Sequence, residues 1–166
     1  MKALLLKTFC MVALAFSMAS CSSDEAAETV SGDTSLVQEY SYNETELELA
    51  REINDYRISI GLDPLQTINH ISFKSGEHNQ YMIANQVVNH DYFEERSNNI
   101  MHVLGAVTVN ENVAYNYTTP AGVLHAWLNS PGHRANIEGY FTHFGISVSE
   151  DPKTGKKYYT NIFIRK

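Results

Sequence analysis

Trp127-Leu128-Asn129-Ser130-Pro131-Gly132-His133-Arg134-Ala135-Asn136-Ile137 is the stretch from which the rest of the chain can be read. Just upstream, Thr119 and Pro120 have the chemistry of a helix N-cap and first helical residue. Pro120, Val123, Leu124, Trp127 and Leu128 then recur at the spacing of one apolar stripe. That stripe buries Trp127. Pro131 pushes Ser130 out of helical geometry, so the helix stops there, and Ser130-Pro131 is itself a good N-cap and N1 pair for a second short helix. His133 then lies in a first helical turn, where unpaired backbone N–H groups disfavour imidazolium and keep the ring neutral, able to bind a metal or accept a proton. The alternative is that His133 only shapes a tight corner.

Working outward, the next informative stretch is an alternation. Val107, Val109, Glu111, Val113 and Tyr115 share one parity and Asn110, Asn112, Ala114 and Asn116 the other, so a strand here puts Glu111 on the apolar side. A buried carboxylate needs a histidine, an arginine or a cation beside it, unless the register is shifted and Glu111 lies in solvent. Further along, Phe144, Ile146 and Val148 alternate with polar or small residues. Tyr158 to Ile164 is rich in strand formers, and Asp151-Pro152-Lys153-Thr154-Gly155 supplies a turn between them, so an antiparallel hairpin is expected.

The earlier part of the chain is helical. Asn43 with Glu46 forms a capping box, Tyr42 and Leu47 are placed for a hydrophobic staple, and Leu49, Ile53, Tyr56 and Ile60 lead to a C-terminal Gly61. A second helix is expected from about Asn69 to Gln86, with Phe73, Glu77, Tyr81 and Ala84 on one face. His70 and His78, on or near it, read as packing or surface histidines. After His90 a polar run through Arg96 and Asn99 reads as a short helix and loop. Helices followed by antiparallel strands indicate an α+β fold with helices packed on a sheet.

Composition bounds the rest. The chain has 166 residues, 43% hydrophobic, and a formal charge of −7, which fits one domain with appendages and argues against nucleic acid as a partner. Residues 1–20 carry Lys2 and Lys7 around an apolar run and end in small residues, as an export signal does, too short for a permanent membrane span. Met18-Ala19-Ser20-Cys21 resembles the lipobox of bacterial lipoproteins, which makes Cys21 the acylated first residue of the mature chain and the membrane its partner. Simple secretion is the alternative. The remaining cysteine, Cys10, lies in the leader, so no disulfide, thiolate chemistry or Cys-ligated zinc is expected in the exported part. Residues 21–41, rich in Ser, Asp, Glu, Ala and Thr, read as a flexible acidic tether. Ser22-Ser23-Asp24-Glu25 is similar to the acidic signal of surface-exposed lipoproteins. The folded domain is then 42–166. The expected location is the outer membrane or cell surface, with a periplasmic or secreted protein as the alternative.

Taken together, Asn54-x-x-Arg57, Gly61-Leu62-x-Pro64-Leu65, His90, Glu111-Asn112-Val113-Ala114, the stretch Trp127 to Ile137, and Phe144-Gly145-Ile146 resemble the bacterial branch of the CAP superfamily. This is the group of cysteine-rich secretory, antigen 5 and pathogenesis-related 1 proteins, also called SCP domains. The resemblance implies an α-β-α sandwich and a cleft of two histidines and acidic residues in which several members bind a divalent cation. His90 and His133 match the two histidines and Glu111 the first acid. The second acid falls at Ser130, so one carboxylate is missing. A general catalytic activity does not follow from the domain.

Three functions are open. The first is a non-catalytic, membrane-tethered extracytoplasmic binding module whose cleft of His90, Glu111, Ser130 and His133 holds a cation or an unidentified small ligand, lipid or protein. The second is a metal-assisted hydrolase, with His90, His133 and Glu111 holding zinc and one position open for water. The third is a nucleophilic enzyme using Ser130 and His133, for which no third group can be named.

Overall fold

The computed structural model describes residues 36–166; the leader, Cys21 and most of the tether fall outside them. Five helices and four strands follow in the order α1 Glu44–Ser59, β1 Gln66–Thr67, α2 Asn69–Asn85, α3 Phe93–Leu104, β2 Thr108–Tyr115, α4 Pro120–Leu128, α5 Pro131–Ile137, β3 His143–Glu150 and β4 Lys157–Arg165. The strands form one sheet in the order β1-β3-β4-β2. The hairpin β3–β4 and the pair β2–β4 are antiparallel, as expected. β1 adds a parallel edge, so the sheet is mixed. Its two residues are too few to carry an alternation, which is why the sequence did not announce it.

Opposite faces of the sheet carry separate cores, and Met82, Val113 and Tyr158 form a third, smaller cluster. Leu49 and Ile53 of α1, Val123 and Trp127 of α4 and Ile137 of α5 pack on Phe144, Ile146, Tyr159 and Phe163. On the other face Ile71 of α2 and Ile100, Val103 and Leu104 of α3 pack on Val109, Ile162 and Ile164. The molecule is therefore an α-β-α sandwich of α+β class.

Local chemistry explains the helix ends. Asn43 Oδ1 accepts from the Glu46 N–H at 3.0 Å while Glu46 Oε2 accepts from the Asn43 N–H at 2.9 Å, a complete capping box. Thr119 caps α4 through Gly122 N–H, with Pro120 behind it. The expected staple is absent: Leu47 is exposed, and the Tyr42 hydroxyl instead accepts from Ser72 on α2. The strip around it is bound as well. The Gln38 N–H donates to His70 Nδ1, Tyr40 donates to Glu46, and Asn69 donates to Glu39, so residues 38 to 40 of the expected tether lie against the domain.

α2 turns a different face inward from the one expected. Ile71, Ser72, Ser75, His78, Asn79 and Met82 are buried, while Glu77 and Ala84 are exposed. This face is polar because it bonds to the sheet backbone: Ser75 donates to Gly145 O, Asn79 to Ser147 O, and Ser72 Oγ accepts from Ile146 N–H. A stripe search for apolar residues selects the wrong side of such a helix.

Candidate functional site

β2 is an edge strand, and the site is built around it from both faces of the sheet. Glu111 points to the α2/α3 side, its carboxylate 1% exposed. Arg96 of α3 donates from Nε to Oε2 at 3.0 Å and from Nη2 to both oxygens at 2.9 Å, so the buried charge is matched by a forked guanidinium. His90 Nδ1 stands 2.9 Å from Glu111 Oε1. A carboxylate paired in this way accepts, so Nδ1 carries the hydrogen, and in the neutral ring the lone pair is on Nε2. The ring itself is exposed.

The loop that presents His90 is fixed at several points. His78 Nε2–H donates to Asn89 O at 2.9 Å, and Arg96 Nη1 donates to Asp91 O at 2.7 Å. Tyr81 and Asn89 both donate to Asp91 Oδ2 at 2.8 Å. Left-handed residues bracket the loop, Gln86 at φ 55° and Tyr92 at φ 58°. His78 is 1% exposed and sits 3.9 Å from Glu111. Burial pulls its pKa down against the pull of Glu111, and its Nδ1 has no partner, so the ring is neutral.

His133 comes from the other side, on the first turn of α5. Three asparagines seat that helix: Asn112 Nδ2 donates to His133 O at 3.0 Å, Asn136 Nδ2 to Asn112 Oδ1 at 2.8 Å, and Asn110 Nδ2 to Asn136 Oδ1 at 2.7 Å. Burial, then the nearby His90, lowers the His133 pKa, so the His133 ring resists protonation. Ser130 is the N-cap residue by position, but its side chain makes no capping bond. Ser130 and His133 line a cavity of about 320 Å³ with Ala114, Tyr115, Tyr117 and Trp127. Trp127 is a wall rather than a platform: it is 1% exposed and its Nε1–H donates to Val113 O at 3.0 Å.

The structure thus puts His90 and Glu111 in direct contact, sets Ser130 and His133 together at the adjoining cavity, and keeps Glu111 occupied by Arg96. Among the described residues, no three His, Cys, Asp or Glu side chains form a group that could hold a metal ion. Arg96, His78, Asn112 and Asn136 belong to the site and were not singled out from sequence. The signal for Arg96 was present, because a buried Glu111 demanded a counter-charge.

Residues 50–163 match the CAP, cysteine-rich secretory protein, family. Two proteins of Bacillus subtilis (strain 168) are similar over short stretches. The uncharacterized membrane protein YlbC is 42% identical over 34% of this chain and 15% of its own length. The uncharacterized protein YkwD is 48% identical over 26% of this chain and 17% of its own. The chain thus covers only a small part of either relative. Among solved structures, an outer surface protein from Borrelia burgdorferi superposes with a TM-score of 0.68 at 18% identity, over 79% of this chain and 99% of that one. An extracellular protein containing an SCP domain from Bacillus anthracis str. Ames gives 0.64 at 27% identity, over 74% of this chain and 40% of that one. A cysteine-rich secretory protein from Staphylococcus aureus gives 0.61 at 23%, over 74% and 38%. The fold and the matched span agree: the chain belongs to the CAP, cysteine-rich secretory protein, family.

Proposed function

We propose that this domain is a non-catalytic binding module, carried outside the cytoplasm on a lipid tether at Cys21, whose His90 and His133 take a divalent cation, zinc best, with the adjoining cavity open to a small ligand. The observation that carries this reading is the Arg96–Glu111–His90 chain of bonds. A carboxylate behind an imidazole fixes its tautomer and raises its basicity, the arrangement found behind metal-binding histidines. The donor set fits a cation with two imidazoles. Glu111, tied to Arg96, orients His90 rather than coordinating, so the remaining positions are left to water or ligand, and affinity is modest. Such a cation would supply a Lewis-acidic anchor for a ligand's oxygen atoms.

Export rests on the leader, and support comes from the extracellular description of the Bacillus anthracis neighbour. Among the described residues no helix is long and apolar enough to cross a membrane. The test is a calorimetric zinc titration. One site is expected near neutrality, weakening at acid pH because protons compete for the imidazoles, at His133 only below the ordinary value of about 6.5 since its pKa is lowered. His90→Ala and His133→Ala remove it, Glu111→Gln weakens it roughly 10- to 100-fold, and His125→Ala leaves it unchanged. Equal binding by all variants would overturn the reading, and hydrolysis abolished by a chelator would replace it with a metal-assisted hydrolase.

A further inference from the structure

His70 stands where the chain entering the domain meets α2, and it is 1% exposed. The Gln38 N–H donates to its Nδ1 at 3.1 Å, and its Nε2 stands 2.8 Å from Asn99 Oδ1 on α3. A backbone amide only donates, so Nδ1 accepts, the ring hydrogen is on Nε2, and the ring is neutral. Both ring nitrogens are therefore in use. An imidazolium is a donor at both, so it cannot keep the bond to Gln38.

The surroundings favour the neutral form. His70 is the second residue of α2, and the N–H groups of a first helical turn disfavour positive charge. Burial lowers its pKa and the bond to Asn99 raises it in part; Lys74 lowers it further and Glu77 raises it, and these two are themselves paired at 2.8 Å. α3 meets the ring with the neutral Asn99. The entering chain meets it with the Gln38 amide, while the Glu39 carboxylate beside it accepts from Asn69 Nδ2 at 2.8 Å. The other attachments of this strip do not depend on the ring. Val37 packs on the core around Ile71 and Ile100, and the Tyr40 hydroxyl donates to Glu46 Oε1 at 2.6 Å and lies 2.9 Å from Ser147 Oγ.

We propose that His70 is an acid-sensitive latch on the segment leading into the domain: a proton on Nδ1 releases Gln38, and the chain peels from α2 as far as Tyr40, whose bonds to Glu46 and Ser147 hold. Each freed residue adds about 3.5 Å of reach to the chain that runs upstream to Cys21. A ring whose pKa is lowered in the latched state takes a proton more readily once released. Release is then independent of pH above about 6.5, grows by at most about 10-fold per pH unit below it, and levels off below the latched value. The latch is separate from the His90/His133 pair and survives if that reading fails.

The test is hydrogen exchange of the Gln38 amide in the full chain between about pH 7.5 and 5, above the ordinary carboxylate range, each rate divided by that of an unstructured amide at the same pH. Opening at Gln38 is expected to rise about 10-fold across this range. The Ile146 amide, which bonds Ser72 Oγ on the same helix, should not change. In His70→Asn the side-chain oxygen can accept from Gln38 without titrating, so the rise should disappear. Should that variant fold poorly, ¹⁵N-histidine spectra read the latch in the wild-type chain, where His70 is expected as the Nε2–H tautomer near neutrality and as imidazolium where Gln38 opens. Opening at Gln38 that does not change with pH, the same rise in a folded His70→Asn variant, or a resting Nδ1–H tautomer at His70 overturns the proposal.

Discussion

Glu111 is where fold and chemistry meet, because one buried carboxylate is asked both to sit in the core and to steer a surface histidine. Arg96 makes this possible. Truncating one partner of a buried pair leaves the other charge unmatched, so Arg96→Ala should cost about 3–5 kcal/mol, and it should also loosen the Asp91 end of the His90 loop. Urea unfolding of Arg96→Ala beside Arg96→Ala/Glu111→Gln checks this: removing the stranded charge should recover a good part of the loss. If the double variant is no more stable than the single one, the pair does not carry the cost. Part of this was legible in sequence. The parity of Val109, Glu111 and Val113 placed the carboxylate inward and demanded a partner, but nothing local could name Arg96, which arrives from a helix expected only as a short polar helix and loop. His78 was passed over for a related reason, since a buried neutral histidine bonded to a loop carbonyl looks like any packing residue until the loop is seen.

Elements are held here by polar stitching as much as by apolar stripes. Asn54 bonds both the N–H and the C=O of Leu65, at 2.8 and 2.9 Å, which ties α1 to the strand that follows it. The asparagines of β2 seat α5 in the same way. α2 lies closest to the sheet at Gly145, where an added Cβ would come within 2.4 Å of the Ser72 nitrogen and 2.5 Å of Ile71 Cβ. Backbone cannot move aside as a side-chain tip can, so Gly145→Ala should destabilise by about 3 kcal/mol, the upper end of ordinary overpacking. Gly132→Ala, which meets nothing within 4 Å, should be near neutral. A thermal shift equal for the two would mean that the close approach is not a constraint. Strands β2, β3 and β4 and the apolar stripes of α1 and α4 were readable from periodicity, whereas β1 was not and α2 was readable as a helix but not in its orientation. Periodicity reports where apolar side chains go, and the buried side of α2 satisfies sheet carbonyls instead.

At the scale of the whole molecule, His90 and His133 lie toward the β2 edge of the sheet, with β1 at the other edge. The chain enters the domain along α2, where the Gln38 N–H meets His70, and Cys21 lies farther upstream, outside the described residues. If Cys21 carries the lipid, Cys21→Ser should move the protein from the detergent phase to the aqueous phase. Wild-type protein already in the aqueous phase would contradict the tether. The central claim is that the Arg96–Glu111 pair presents His90 Nε2, beside His133, as a binding site. It is tested most directly by ¹⁵N-histidine NMR near neutral pH with added zinc. His90 should rest as the Nδ1–H tautomer, and zinc should move its Nε2 and one ring nitrogen of His133 while leaving His70, His78 and His125 in place. A resting Nε2–H tautomer at His90, or zinc shifts that spare both His90 and His133, would contradict it.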